Sequence, residues 1–510
     1  MNRERPIVPA LIYAAMTVLG AGAPLVTAWD NATETDAACE TDRGKGGLCG
    51  HALASLALIE AGIPPRPAAA ALDAQGDTDI THCFLDIEAK TTTSPKSIAG
   101  SNTLDVTSRM NGLTEFALDL QSNMIVDAVT VNGVAAAYTR PTNRIVINLG
   151  GTYDAGQSFQ VGVTYHGSPK NRTDFFGSPH YFFSTHSGQT IASTLSQPFQ
   201  ANYWWPCKDN WESVDDKFTL DMWVTVPNTM LVASNGVLQG TDTLTGSRLR
   251  YRWHEAYPIA TYLVSFAATN YVKQTYAYDH AGGSMPVEFY IYPEKVAESQ
   301  PYLATIVQAL ATYSDPNVFG QYPFITEKYG IAQFPWCCGM EHQTMTSQGA
   351  YTSERRNVHE LAHQWWGNHV TCRTWHDVWL NEGFATYAEA VWQEKRPGGS
   401  YAAYLTSLNN NRPPTNGTGT VYRYDISTSA AIFDGTYAYD KGGWVVHMLR
   451  HVLGDEKFTE TLAAYRAAFA GGVADTEEFR AVCEQVSGLE PGSLRWFFDE
   501  WVYNAGSPYY

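Results

Sequence analysis

Two histidines four residues apart, His359 and His363, bracket Glu360 in the stretch His359-Glu360-Leu361-Ala362-His363, and Glu382 follows after 18 intervening residues. On a helix, residues four apart lie one above the other on the same face. Both imidazoles can then reach one ion, roughly 2.0–2.1 Å from each ring nitrogen, with Glu360 projecting beside it. A carboxylate from Glu382 completes a set of three and leaves a fourth position open to water. That opening separates a catalytic zinc site from a closed structural one. The chemistry of such a set is hydrolysis by an activated water, with Glu360 placed as general base. The plainer alternative is a surface helix carrying two solvated histidines, and Glu382 argues against it.

Two elements have to position these groups. No Pro or Gly interrupts Val358 to Trp366, which predicts a helix there, and Gly367-Asn368 predicts its end. Glu382 opens a second helical stretch running to Glu394. Packed antiparallel, the two bring the carboxylate to the histidines.

The 510 residues suffice for two or three domains, and 44% apolar residues suffice for sizeable cores. The net charge is −18 with 16% charged residues and no basic run, which excludes nucleic acid as a partner. Residues 1–28 read as an export signal. Arg3 and Arg5 precede an apolar region over residues 7–19, and Val26-Thr27-Ala28 offers a small-residue cleavage site before Trp29. Uncleaved, the segment would act as an anchor, but Pro9, Gly20, Gly22 and Pro24 break a continuous spanning helix. The expectation is cleavage, no membrane association afterwards, and a periplasmic or extracellular location. Eight cysteines in an exported chain permit disulfides, with Cys39–Cys49 the first pair to expect. Adjacent Cys337 and Cys338 are either a vicinal bridge or two small buried side chains. No Cys-x-x-Cys spacing supports a second metal site.

The texture of the chain divides it. Residues 29–76 read as an extension and linker. Residues 77–280 read as a β-rich domain, antiparallel and sandwich-like, with strands expected at 80–89, 124–131, 144–149, 159–165, 217–226, 249–254 and 261–267. Asn132-Gly133 signals a hairpin turn. Residues 281–510 read as a mainly helical domain after one last strand at 287–292. Helices are expected from near Glu298, over 441–453, from a capping-box opening at Asp475 and Glu478, and over 493–503. The fold class is α+β with two domains.

A zinc and a base hydrolyse something without choosing a substrate, and three more stretches bear on the choice. Cys338-Gly339-Met340-Glu341-His342 precedes the metal helix on an expected strand edge. Gln197-Pro198 stands shortly before Pro206-Cys207-Lys208-Asp209. Tyr439-Asp440-Lys441-Gly442 comes later. With these the chain, from about Asp77 onward, resembles the gluzincin aminopeptidases, the family of aminopeptidase N and leukotriene hydrolase. The family's metal motif stands as His359 to His363 and Asn381-Glu382-Gly383, flanked by Val358 and by Gln364-Trp365-Trp366-Gly367-Asn368. Its Gly-Ala-Met-Glu-Asn motif matches Cys338 to His342 imperfectly. Its Tyr-x-Lys-Gly motif matches Tyr439 to Gly442, and its Pro-Cys-x-Asp motif matches Pro206 to Asp209.

The resemblance implies a thermolysin-like zinc catalytic domain with one zinc ion on His359, His363 and Glu382, and Glu360 as general base. It implies that Tyr439, rather than nearby Tyr437, donates to the oxyanion, and that Glu341 and Gln197 hold the free α-ammonium of a peptide. Glu389 and Thr386 are candidates to orient the ligands; His369, His376 and Asp209 read as structural. The sequence departs from the family at Cys338, at His342 and at Asn202, where an arginine is common, and this bears on substrate preference. Members commonly continue past the position of Trp501 into further domains, so if Tyr510 is the true end, the resemblance implies a cleft wall missing or supplied by another molecule. The function implied is an exported zinc aminopeptidase acting on peptides with a free N-terminus. The alternatives are a broader endopeptidase, which would also cut N-acetylated peptides, and a peptide-binding module, which would usually have lost Glu360 or a ligand. Lipid epoxide hydrolysis, known in one branch, needs a pocket built partly by the absent C-terminal region.

Overall fold

In a computed structural model of the chain, the apolar–polar alternation of the first half becomes a stack of sheets over a shared core. The structure describes residues 75–506, apart from 174–178, 181, 210–213 and 215. The expected export signal, nearly all of the expected linker and Cys39–Cys49 lie outside the described residues.

The largest sheet has eight strands, and Thr78–Lys90 lies within it between Ser97–Ser108 and Lys217–Pro227. In Thr78–Lys90 the side chains Cys83, Leu85 and Ile87 alternate into the core, as a period of two requires. A three-stranded sheet (Leu113–Asp119, Arg144–Tyr153, Tyr138–Thr139) contributes Phe116, Leu118, Ile145 and Ile147 to the same core, which gives the sandwich. One expectation needs correction. Thr78–Lys90 pairs in parallel with Lys217–Pro227, so the sheet is mixed rather than wholly antiparallel. A second correction concerns 261–267. Thr261–Leu263 forms a 3₁₀ turn, and the strand runs over Phe266–Thr269.

The second sheet has five strands in the order Val272–His280, Gly283–Ile291, Tyr329–Gln333, Thr346–Gln348, Gly339–Met340. The boundary expected after residue 280 therefore falls at the turn of its first hairpin. Gly339–Met340 is the far edge, antiparallel to Thr346–Gln348, as expected for the stretch containing Glu341.

Helices then build the second core. Ser353 caps α1 (Glu354–Ala362), its Oγ accepting from the Arg356 amide at 3.2 Å. This helix starts and stops four residues before the expected limits, and tighter turns carry the chain from His363 to Trp366. Helix α2 (Trp379–Lys395) is buried on every side from Trp379 to Trp392. A π-helical turn, Gly435–Lys441, precedes α3 (Gly442–Leu453). The helix Thr476–Val486 opens with the expected capping box of Asp475 and Glu478. The expected helix over 493–503 is one α-turn, Arg495–Phe498, that widens into a π-turn, Asp499–Tyr503. Among the described residues, no helix is long and apolar enough to cross a membrane.

Helices α2 and α3 approach without side chains between them. A Cβ on Gly383 would lie 2.8 Å from the Gly442 carbonyl carbon, and one on Gly442 would lie 3.0 Å from the Gly383 Cα. Lys441, buried beside this contact, donates from Nζ to the carbonyls of Asn504 (3.0 Å) and Gly419 (3.4 Å). These contacts give the Lys-Gly pair after Tyr439 a physical role.

Candidate active site

Helices α1 and α2 meet along one face of each. Arg355 and His359 reach Glu389, while His359 and His363 reach Glu382, so the numbering ascends on one helix as it descends on the other. The two run antiparallel, as expected. His359 Nε2 lies 3.3 Å and His363 Nε2 3.2 Å from the same oxygen, Glu382 Oε2.

The far sides of the rings are also engaged. His359 Nδ1 lies 2.8 Å from Glu389 Oε1, and His363 Nδ1 lies 3.0 Å from the Trp366 carbonyl. An imidazole that donates from Nδ1 turns its Nε2 lone pair to the other side. Two such lone pairs and a carboxylate oxygen therefore converge on one point, an arrangement that requires a cation. Without a metal, protons supply that charge. Burial opposes the charged form of His359, but the hydrogen bonds it donates to Glu382 and Glu389 outweigh it and raise its pKa to about 10. His363 is raised to about 9 against burial by the charges of Glu382 and Glu341. Burial would raise Glu382, yet the charge of His363 and the hydrogen bonds of both rings bring it down to about 2. Two nitrogens and an oxygen within 4.8 Å of one another, with the outer nitrogens already oriented, fit one zinc ion.

Of the two candidates for orienting the ligands, Glu389 is in place and is itself held by Asn411 Nδ2 at 3.0 Å. Thr386 is not in place: its Oγ1 is buried without a hydrogen-bond partner, and its methyl packs on Gly443. His369 and His376 lie away from the cavity. Burial, with Arg466 and Lys217 adding to it, lowers His369 to about 3, and His376 stacks on Tyr422.

Glu360 is buried beside the edge strand, so close that a Cβ on Gly339 would collide with its carboxylate. Burial raises its pKa, with the two histidines partly opposing. The Tyr439 ring stacks on His359 with centroids 6.0 Å apart. Burial holds its hydroxyl well above the usual tyrosine range, and the carboxylates of Glu382, Glu341 and Glu360 add to that. Tyr437 points elsewhere, its hydroxyl accepting from the Thr418 amide at 3.0 Å.

Glu341 follows the edge strand Gly339–Met340, Gln197 lies in a turn after the strand Gln189–Ser193, and the two meet in the interior. Gln197 Nε2 donates to Glu341 Oε1 at 2.7 Å, with both residues buried. The Glu341 backbone is pinned by Asn368 Nδ2, which donates to its carbonyl at 2.6 Å, and Gln364 Oε1 accepts from the Thr344 amide at 2.9 Å. Burial first, and then the charges of Glu382 and Glu360, push the Glu341 carboxyl up to about 7. A cavity of about 320 Å³ is lined by His359, His363, Glu382, Glu360, Glu341, Gln197 and Tyr439 together. All seven residues expected to form the site therefore face one space.

Sequence reasoning missed Arg355 and Arg356, which also line the cavity. The available signal was spacing, since Arg356 stands four residues before Glu360 on the same helix face. Cys337 and Cys338 fit neither expectation. They form no bridge, their sulfurs lying 2.9 Å apart, with Cys337 exposed and Cys338 half-buried. Asp209 accepts from the Asn202 amide (2.9 Å) and Nδ2 (2.7 Å), so the asparagine that departs from the family pattern orders this turn.

Residues 81–263 match the peptidase M1 N-terminal domain, and residues 338–501 match the peptidase family M1 domain. The chain belongs to the peptidase M1 family. It is 26% identical over 392 residues to aminopeptidase M1-D of Oryza sativa subsp. japonica, covering 71% of this chain and 42% of that protein. It is 25% identical over 342 residues to glutamyl aminopeptidase of Sus scrofa, covering 63% and 35%. The chain thus spans about two fifths of the length of these relatives. Among solved structures, the M1 zinc metallopeptidase of Deinococcus radiodurans has the same fold, with a TM-score of 0.72, 24% identity, and coverage of 85% of this chain and 95% of that one. A variant of that protein bound to a Tyr-Ser-Ala substrate superposes with a TM-score of 0.71 at 24% identity, covering 85% and 96%.

Proposed function

We propose that the chain is a zinc-dependent aminopeptidase that hydrolyses the first peptide bond of peptides with a free N-terminus. The observation that carries this reading is the buried Gln197–Glu341 pair, 2.7 Å apart, opening into the same cavity as the His359–His363–Glu382 set. A carboxylate in such a place is costly to leave charged unless a cation faces it. The α-ammonium of a peptide supplies that cation, while an acylated terminus leaves the carboxylate unpaired. The tripeptide bound by the Deinococcus neighbour supports a short peptide as ligand.

With the amine at Glu341, the first carbonyl of the substrate lies among Glu360, Tyr439 and the imidazoles. Zinc, held by His359, His363 and Glu382, supplies a Lewis acid that acidifies water and polarises a carbonyl. Glu360 takes the proton of the attacking water and passes it to the leaving nitrogen. Burial raises its pKa, which strengthens it as a proton acceptor. Tyr439, kept protonated by its surroundings, donates a hydrogen bond to the carbonyl oxygen as negative charge develops there.

The test is a panel of aminoacyl anilides with free and acetylated N-termini, assayed with and without a chelator. Cleavage of free termini alone, abolished by chelation, is expected; equal cleavage of acetylated substrates would overturn the amine site. The composition of residues 1–28 further supports export to the periplasm or the exterior. The corresponding result is a mature protein beginning at Trp29 in that fraction, and retention of Met1 in the cytosol would refute it.

A further inference from the structure

The edge strand and α1 run past each other in a way that fixes the direction of the cleft. At one end, Asn368 and Gln364, beyond the C-terminus of α1, donate to the Glu341 carbonyl at 2.6 and 3.4 Å. At the other end, Gly339 pairs with Gln348, whose Nε2 donates to Asn357 Oδ1 at 2.9 Å, and the Gly349 amide donates to the Cys338 carbonyl at 3.1 Å. Moving from Glu341 back to Cys338 is therefore moving from the C-terminal to the N-terminal end of α1. Arg356, adjacent to Asn357, stands at that far end and lines the cavity.

Three features set Arg356 apart. It is half-buried, and its guanidinium forms no hydrogen bond or ion pair among the described residues. Its neighbour Arg355 is by contrast tied to Glu389 through Nε at 2.5 Å. It also occupies the first turn of a helix, where the backbone dipole disfavours a cation. Its charge nevertheless acts on the cleft, opposing the rise in the Glu360 pKa. An unengaged cation at an unfavourable position inside a cavity leaves a charge for a ligand to complete.

We propose that Arg356 binds a carboxylate carried by the residue that follows the scissile bond. Two extended residues span at most about 7 Å, and the step from Glu341 to Gly339 along the edge strand covers about the same length. A dipeptide with its amine at Glu341 therefore brings its terminal carboxylate beside Gly339 and Cys338, toward Arg356. An acidic side chain on the second residue of a longer peptide brings the same group to the same end. The inference rests on the amine lying at Glu341 and Gln197, as proposed above.

The test compares kcat/KM for an aminoacyl-glycine dipeptide, its C-terminal amide, and the aminoacyl-aspartate amide, with the N-acetyl dipeptide as a control. For the wild-type enzyme at low salt, the dipeptide is expected to exceed its amide by about tenfold or more, the scale of one charge-assisted hydrogen bond. Added salt should narrow that ratio. Arg356→Gln should bring it close to one, and Arg356→Lys should keep part of it. Preference for the aspartate amide as well assigns the site to either carboxylate; preference for the dipeptide alone assigns it to the terminal one. A wild-type ratio near one, or an unchanged ratio in Arg356→Gln, overturns the proposal. Cleavage of the N-acetyl dipeptide would instead overturn the amine site beneath it, so the two failures are told apart.

Discussion

Replacing Glu389 by glutamine keeps the size of the side chain and removes its charge. In the wild-type chain, Glu389 Oε1 lies 2.8 Å from His359 Nδ1, while Oε2 accepts from Arg355 Nε at 2.5 Å and from Asn411 Nδ2 at 3.0 Å. The imidazole loses a charge-assisted partner worth about 1.5–3 kcal/mol, and with it part of the reason its Nε2 lone pair faces inward. At about 1.4 kcal/mol per decade, zinc affinity should fall by about 10- to 100-fold. Asn411→Ala, which only loosens Glu389, removes one neutral-donor bond and should cost less, about 1 kcal/mol or fivefold. The assay is competition for zinc against a chromophoric chelator of known affinity, with bound metal counted by mass spectrometry. Because it reads metal rather than turnover, any effect of Glu389 on the adjoining cleft does not enter. A zinc Kd within threefold of wild type for Glu389→Gln would refute the argument that this carboxylate orients the ligand.

Three further outcomes are expected. Glu360→Gln should keep its zinc while kcat falls by about 10²- to 10⁴-fold, and retention of most activity in a zinc-replete sample would remove Glu360 as the base. Tyr439→Phe should lower kcat by about 10²- to 10³-fold with little change in KM; steady-state kinetics showing a kcat within twofold would exclude the oxyanion contact. Asp209, raised to about 7 chiefly by burial, is held neutral by the folded state. Its contribution to stability is therefore present below an unfolded pKa near 4 and is lost as pH rises through 7. Asp209→Asn should accordingly gain on the wild type by about 2.5 kcal/mol between pH 5 and pH 8, because about 1.5 of the roughly 4 kcal/mol carried by a shift of about three pKa units is already lost at pH 5. Denaturant midpoints at the two pH values decide this, and a pH-independent difference would contradict it.

Much of the metal centre was legible because it depends on local periodicity. His359, Glu360 and His363 share a helix turn, and Glu382 and Glu389 are two turns apart on the next helix. The Asn132-Gly133 turn was legible for the same kind of reason. Both residues take positive φ, 50° and 76°, which these two residue types tolerate. What escaped was set by distant contacts. The π-turn that presents Tyr439 is anchored by Lys441 to Gly419 and Asn504. The parallel pairing of Thr78–Lys90 with Lys217–Pro227 joins strands more than a hundred residues apart, which no local pattern encodes. Strand character over 261–267 was read from composition, but Tyr262 and Leu263 are buried in a 3₁₀ turn, and the strand forms only beyond them. Arg356 was passed over because an arginine in a first turn looks like ordinary surface. Its four-residue spacing from Glu360 places it on the same helix face, and the edge strand shows that this face lines the cleft.

The bare contact between Gly383 and Gly442 acts as a ruler. Glu382 precedes one glycine, and Tyr439 lies three residues before the other, so the spacing between carboxylate and phenol is set by peptide units whose dimensions are invariant. Side chains elsewhere in the core can exchange over generations and the helices can settle slightly, yet none of that lengthens the ruler. A methyl group on either glycine would, because backbone stands where it must go. Divergence in this chain is thus free to rewrite its walls while two positions without side chains keep the reacting groups in register.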